Sequence, residues 1–150
     1  QFYRQENIGL VRTLNRALGM ATGKYFSQLA ADDHWYLDKT ERQVAYMEAH
    51  PDVHIVCGGM DPVDEHDRPT DFKVGSWPGE VTFESLMTEG CNVQGPTAFY
   101  RTETLRATGC FDEHARLEDY TTALHFTAAG HRVVNTGETY TYYRRHSAQW

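Results

Sequence analysis

Short runs rich in aromatic and β-branched residues alternate along this chain with segments of helical period, and glycine or proline closes most of them. That alternation allows few architectures. Leu10, Leu14, Ala17, Leu18 and Ala21 recur at helical spacing and predict a helix over about Gly9 to Ala21, with Gly23 as its C-terminal cap. "KYFSQLA" then reads as a strand. Asp38, with Glu41 three residues on, reads as the N-cap of a helix over "KTERQVAYMEAH" that Pro51 stops. "VHIVCGG" reads as a strand with a Gly-Gly end, and "MDPVDEHDRPTDFKVGSWPGE" as a long loop or irregular hairpin. Thr82 caps "FESLMTE", whose Phe83, Leu86 and Met87 share one face, and Gly90 stops it. "GPTAFYR" is a strand, "TETLRATG" and "LEDYTTALHFTAAG" are helices ended by Gly109 and Gly130, and "HRVVN" and "TYTYYRRH" are closing strands. Strands that alternate with helices imply a layered α/β domain, in which ligands sit beyond the C-terminal ends of strands. "AADD" lies at such an end.

The 150 residues suffice for one domain with a real core. No apolar run approaches the roughly 20 residues of a membrane helix, and "QFYRQENIGL" has no apolar signal-peptide region. The missing initiator Met leads us to expect a piece of a longer protein. A net charge of −7, with eight His counted neutral, argues against nucleic-acid binding, which rests on clustered Lys and Arg. The three cysteines, Cys57, Cys91 and Cys110, form no CxxC and read as reduced thiols packed as small hydrophobes.

Three places could carry chemistry, each with a plain alternative. Asp32 and Asp33, followed by His34 and Trp35, are either a strand running out into solvent or carboxylates for a hard divalent cation, which keeps water and phosphate as its other ligands. Glu118 and Asp119 are either first-turn acids that suit a helix dipole or a general base facing a cleft. Arg144, Arg145 and His146 are either a solvated strand edge or a phosphate- and metal-binding cluster.

In the order in which they occur, these features resemble family 2 glycosyltransferases of the GT-A fold. The residues that carry the likeness are "ENIGLVRTLNRALGMATGKYFSQLAADDHW", "LDKTERQVAYMEAHPDVHIVCGG", "FESLMTEGCNVQGPTAFYRTETLRATGCFDE", "LEDY" and "YYRRHS". They run from about Glu6 to Ser147, and the ordered set is more specific than any one motif. The resemblance implies a GT-A-like (Rossmann-like) mixed sheet flanked by helices. It also implies that residues 1–150 form a single domain, the later two-thirds or so of a catalytic domain, because the family's first strands, which hold the nucleotide base, find no counterpart here.

Position by position, the resemblance makes Asp32 the last acid of the family's DXD motif, on the divalent metal (Mn²⁺ or Mg²⁺) that bridges the donor diphosphate. Asp33 lies beside it, near the donor ribose or the acceptor. Asp119 is the base for the acceptor hydroxyl, and Glu118 supports it. His146 approaches the metal or the diphosphate, while Arg144 or Arg145 neutralises the leaving group. Ala30 stands where the family's first DXD acid falls, so one carboxylate is absent. The implied activity is inverting transfer from a nucleotide-diphosphate sugar, expected to be a UDP-sugar, to a glycan or lipid-linked acceptor. The implied setting is polysaccharide assembly in the cytoplasm or at the inner membrane face. Two other readings stay open: a non-catalytic binding remnant of such a domain, and, more weakly, a metal-dependent hydrolase using the Asp pair.

Overall fold

A computed structural model describes residues 2–72, 74 and 76–146. Helix α1 (Leu10–Met20) buries Leu14 and Leu18, four residues apart and so on one face. Leu10 remains exposed and Val11 packs inward instead. Gly23 does not end the helix. Ala21 leaves it in extended conformation, and Arg106 donates to the terminal carbonyls of Leu18 (2.7 Å) and Ala21 (2.5 Å).

Strands β1 (Tyr25–Ser27) and β2 (His34–Trp35) precede helix α2 (Lys39–Ala49). Asp38 does not cap α2 through its side chain. It sits at φ −96°, ψ 0° rather than in the extended conformation that aims a cap inward, and its carboxylate faces Arg42 Nε at 3.4 Å. The other end of α2 is held by Arg101, which donates to Met47 O (2.9 Å) and His50 O (3.2 Å).

Strand β3 (Val53–Val63) does not end at Gly58–Gly59 but runs through them. The reason lies in β6 (Arg132–Arg144), one strand where two were expected, which lies parallel to β3. Between Asn135 and Thr139 β6 advances four residues while β3 advances two, a bulge with Gly137 at φ 74°. The bulge drives the Glu138 carbonyl and the Tyr140 ring against Gly58, where a Cβ would strike the carbonyl and come within 2.7 Å of the ring.

The remaining elements are β4 (Gly79–Val81), α3 (Phe83–Glu89), a 3₁₀ turn (Gly95–Thr97), β5 (Phe99–Arg101), α4 (Thr102–Ala107) and α5 (Glu118–Ala128). Thr82 and Ser85 cap α3 reciprocally, but only Leu86 of its expected apolar face is buried; Phe83 and Met87 are exposed. The sheet order is β1-β5-β3-β6-β2, with β4 also on β6; β3 and β6 are parallel and the other pairs antiparallel. Alternation along the strands splits the core. Phe26, Ile55, Cys57, Tyr100 and Val133 pack with residues of α1, α3, α4 and α5, while Val56, Phe99 and Val134 pack with Met47 of α2. The three thiols are free. Among the described residues no helix is long and apolar enough to cross a membrane.

Candidate functional site

The two acids lie in a turn between β1 and β2, where the Asp33 N–H donates to Ala30 O at 3.3 Å. Pairing of His34 with Tyr142 brings this turn to the end of β6. Asp33 is buried, and its Oδ1 accepts the Arg144 backbone N–H at 2.9 Å. Burial pushes its carboxyl above the usual range and Asp32's charge adds to this, against the Arg144 N–H. Asp32 is half-buried, with Oδ2 3.2 Å from His146 Nε2.

Adjacent arginines differ sharply here. Arg144 is a clamp: Nε donates to Asp32 O (2.8 Å), one terminal nitrogen to Asp64 O (3.2 Å) and the other to Asp67 Oδ1 (2.7 Å). Arg145 instead lays its exposed guanidinium over the Phe72 ring at 3.9 Å. With Met60, Phe72, Val74, Gln94, Tyr143 and His146 it lines a pocket of about 490 Å³ with no acid in its wall among the described residues. Ser147, the last residue of "YYRRHS", lies outside the described residues.

No group of three or more His, Cys, Asp or Glu able to hold a metal occurs among the described residues. Asp32 and His146 fit a two-ligand site. Neighbouring ligands on an ion with bonds of about 2.1 Å lie about 3 Å apart, and Asp32 Oδ2 and His146 Nε2 are 3.2 Å apart. Hard divalent ions commonly take few protein ligands and complete their shell with water and phosphate.

Glu118 and Asp119 begin α5. Asp119 Oδ2 accepts the Gly95 N–H at 3.0 Å and Oδ1 accepts the Tyr120 N–H at 2.7 Å. Burial, then the charge of Glu118, pushes the Asp119 carboxyl up, and the two N–H groups oppose that rise. The outcome is a carboxylate with raised proton affinity in a fixed orientation, the property a general base needs. Gln94 lines the pocket beside His146, and the next residue, Gly95, donates its N–H to Asp119, so one residue along the turn separates the pocket wall from the residue that holds Asp119.

The turn that carries Gly95 is fixed from several sides. Pro96 O accepts from Trp35 Nε1 (3.0 Å) and Thr141 Oγ1 (3.1 Å), and Thr97 O accepts from Gln43 Nε2 (2.8 Å). Under Trp35 lies Lys39, fully buried, with Nζ 4.2 Å from the ring centroid and donating to Ser27 Oγ at 3.1 Å. Burial pushes its ammonium down to about 7. The sequence reading missed Gln28, Trp35, Lys39, Gln43 and Gly95 as parts of the site. One signal was available for two of them: Lys39, Gln43 and Met47 repeat at i, i+4, i+8 and all three are buried, so α2 turns polar groups inward.

The model of "Glycosyl transferase family 2" matches residues 1–108. The amylovoran biosynthesis glycosyltransferase AmsE of Erwinia amylovora is 25% identical over 131 residues, 87% of this chain and 48% of AmsE. The chain thus spans about half the length of that relative. Among solved structures, S. aureus TarS 1-349 in complex with UDP-GlcNAc aligns at TM-score 0.65 and 20% identity, covering 90% of this chain and 38% of the TarS 1-349 chain. The mannosyltransferase PcManGT from Pyrobaculum calidifontis, in complex with GDP-Man and Mn²⁺, aligns at TM-score 0.65 and 24% identity, covering 91% and 36%. At these identities the likeness establishes the fold, the GT-A mixed sheet.

Proposed function

This chain belongs to glycosyl transferase family 2, and from that membership and the cleft geometry we propose that it transfers a sugar from a nucleotide-diphosphate sugar to an acceptor hydroxyl, with inversion and with the help of a divalent metal. The observation that carries the reading is Asp119. It is a half-buried carboxylate with raised proton affinity, held by the Gly95 and Tyr120 N–H groups, and Gly95 follows Gln94 in the wall of the pocket that His146 and Arg145 line.

Inverting displacement needs a base on the acceptor side and neutralisation of the leaving group on the other. Asp119 accepts the proton of the acceptor hydroxyl at a carboxylate oxygen, a contribution on the order of 10²–10⁴-fold. Glu118 keeps that carboxylate basic through its charge. Asp32 and His146 are the groups that would hold Mn²⁺ or Mg²⁺, which when bound supplies Lewis-acid stabilisation of the departing nucleoside diphosphate. Arg145 adds a guanidinium in the pocket wall. Arg144 supports the site indirectly, joining the Asp32 turn to residues 64–67. Asp33, buried on the Arg144 N–H, orients the same turn. Ala30 leaves Asp32 to act with His146 rather than with a second carboxylate.

TarS and PcManGT are solved in complex with UDP-GlcNAc and GDP-Man, which supports a nucleotide-sugar donor. AmsE is an amylovoran biosynthesis glycosyltransferase, and the proposal takes this chain to act likewise in glycan synthesis, on a glycan or lipid-linked acceptor. The test uses the protein that carries this chain. Asp119→Asn is expected to abolish transfer while donor binding persists, and Asp32→Ala to remove Mn²⁺-dependent donor binding in calorimetry. Near-normal turnover by Asp119→Asn, or donor affinity unchanged by both metal and Asp32→Ala, contradicts the reading.

A further inference from the structure

We propose that Gln28 is a positioning residue for the Glu118–Asp119 pair, its side-chain amide holding the Glu118 carboxylate so that Asp119 is left to act on the acceptor. The inference rests on the base reading above. Gln28 follows β1 directly, two residues after Phe26, so strand alternation turns it to the same face as Phe26, the face on which α5 packs.

Its Nε2 donates to Glu118 Oε1 at 3.1 Å. The same nitrogen would lie 2.8 Å from a Cβ on Gly95, whose N–H donates to Asp119 Oδ2. Gly95 therefore lies against both halves of the arrangement, and a side chain there would push the amide from its present position. The other end of the amide gains nothing in return, because Gln28 Oε1 is buried without a hydrogen-bond partner among the described residues. A flipped amide would set that oxygen against a carboxylate oxygen, acceptor against acceptor. The orientation of Gln28 is thus dictated by Glu118.

The titratable groups whose charges couple with Asp119 are Glu118 on α5, Cys57 on β3, Cys91 ahead of the turn and Tyr100 on β5. Burial raises both thiols and the phenol and holds them neutral. Hydrogen-bond donation to the pair comes from Gln28 and from the Gly95 and Tyr120 N–H groups. Without the amide, the Glu118 charge loses a donor and bears more fully on Asp119, so the Asp119 titration moves to higher pH.

The experiment is a carboxyl-carbon NMR titration of the full chain and of two near-isosteric variants, Gln28→Met and Gln28→Glu. The expected result is an Asp119 titration raised on the order of 0.5 pH unit in Gln28→Met and further in Gln28→Glu. The acid limb of the pH–rate profile for transfer should rise by the same amount, with the KM for donor unchanged. Either variant leaving the titration of Asp119 in place overturns the proposal, whatever happens to activity. Failure of the base reading is seen separately, as turnover retained by Asp119→Asn.

Discussion

Replacing Lys39 by Met should change how folding stability depends on pH. Lys39 is fully buried between α2 and the sheet, with Ser27 Oγ as its hydrogen-bond acceptor and the Trp35 and Phe99 rings beside its ammonium. Burial lowers its proton affinity to about 7, against roughly 10.4 for an exposed lysine. Below about 7 the folded and unfolded chains both hold the proton, so the desolvation penalty is present in full. Between about 7 and 10.4 the unfolded chain binds the proton and the folded chain does not, so stability rises with pH. Integrated from about pH 6 to 8.5, that gain is about 2 kcal/mol. The methionine chain fills similar space with no charge, and Ser27 keeps its bond to Ala98 O at 2.6 Å. Urea unfolding followed by circular dichroism at about pH 6, 7 and 8.5 should therefore show the wild type gaining about 2 kcal/mol more than Lys39→Met. Histidines that titrate in this range, such as His54, whose proton affinity burial lowers, are common to both chains and cancel. Equal pH slopes in the two chains would refute the burial argument.

Two further substitutions probe what holds the site together. Gly58→Ala should destabilise the fold by about 3 kcal/mol or more, because its Cβ meets the Glu138 carbonyl and the Tyr140 ring; Gly59→Ala, with no neighbour closer than 3.6 Å, is the matched control in a thermal melt. Arg144→Ala should release the turn over 64–68 and speed hydrogen exchange of the Asp64 and Asp67 amides, which bond within the turn, several-fold, whereas Arg145→Ala should leave those rates alone, since Arg145 stacks on Phe72 and makes no side-chain bond to the turn. Equal exchange in the two variants would remove the clamp.

Much of the layout was legible from local signals. Helical spacing in α1, the Thr82 cap of α3, the glycine ends at Gly109 and Gly130 and the strand–helix alternation all depend on residues a few positions apart. The ordered motifs also located the acids and the basic cluster on the chain, and the family membership they suggested is the one the chain has. Other features depend on which segment lies alongside, and no local rule carries that. Gly58–Gly59 reads as a strand end but is a close approach to a bulge some 80 positions later. Arg106 and Arg101 end α1 and α2, where glycine and proline were expected to do so alone, because α4 and β5 pack against those helix ends. Arg144 and Arg145 are indistinguishable as letters. Strand alternation turns one into a clamp on Asp32, Asp64 and Asp67 and the other into a pocket wall. The sequence by itself determined the order of the elements and the residue types available for chemistry, since these follow from spacing and side-chain identity. The tertiary structure alone decided that Asp119 meets Gly95 and that Gln28 meets Glu118, because burial and hydrogen-bond geometry arise only once distant strands are in register.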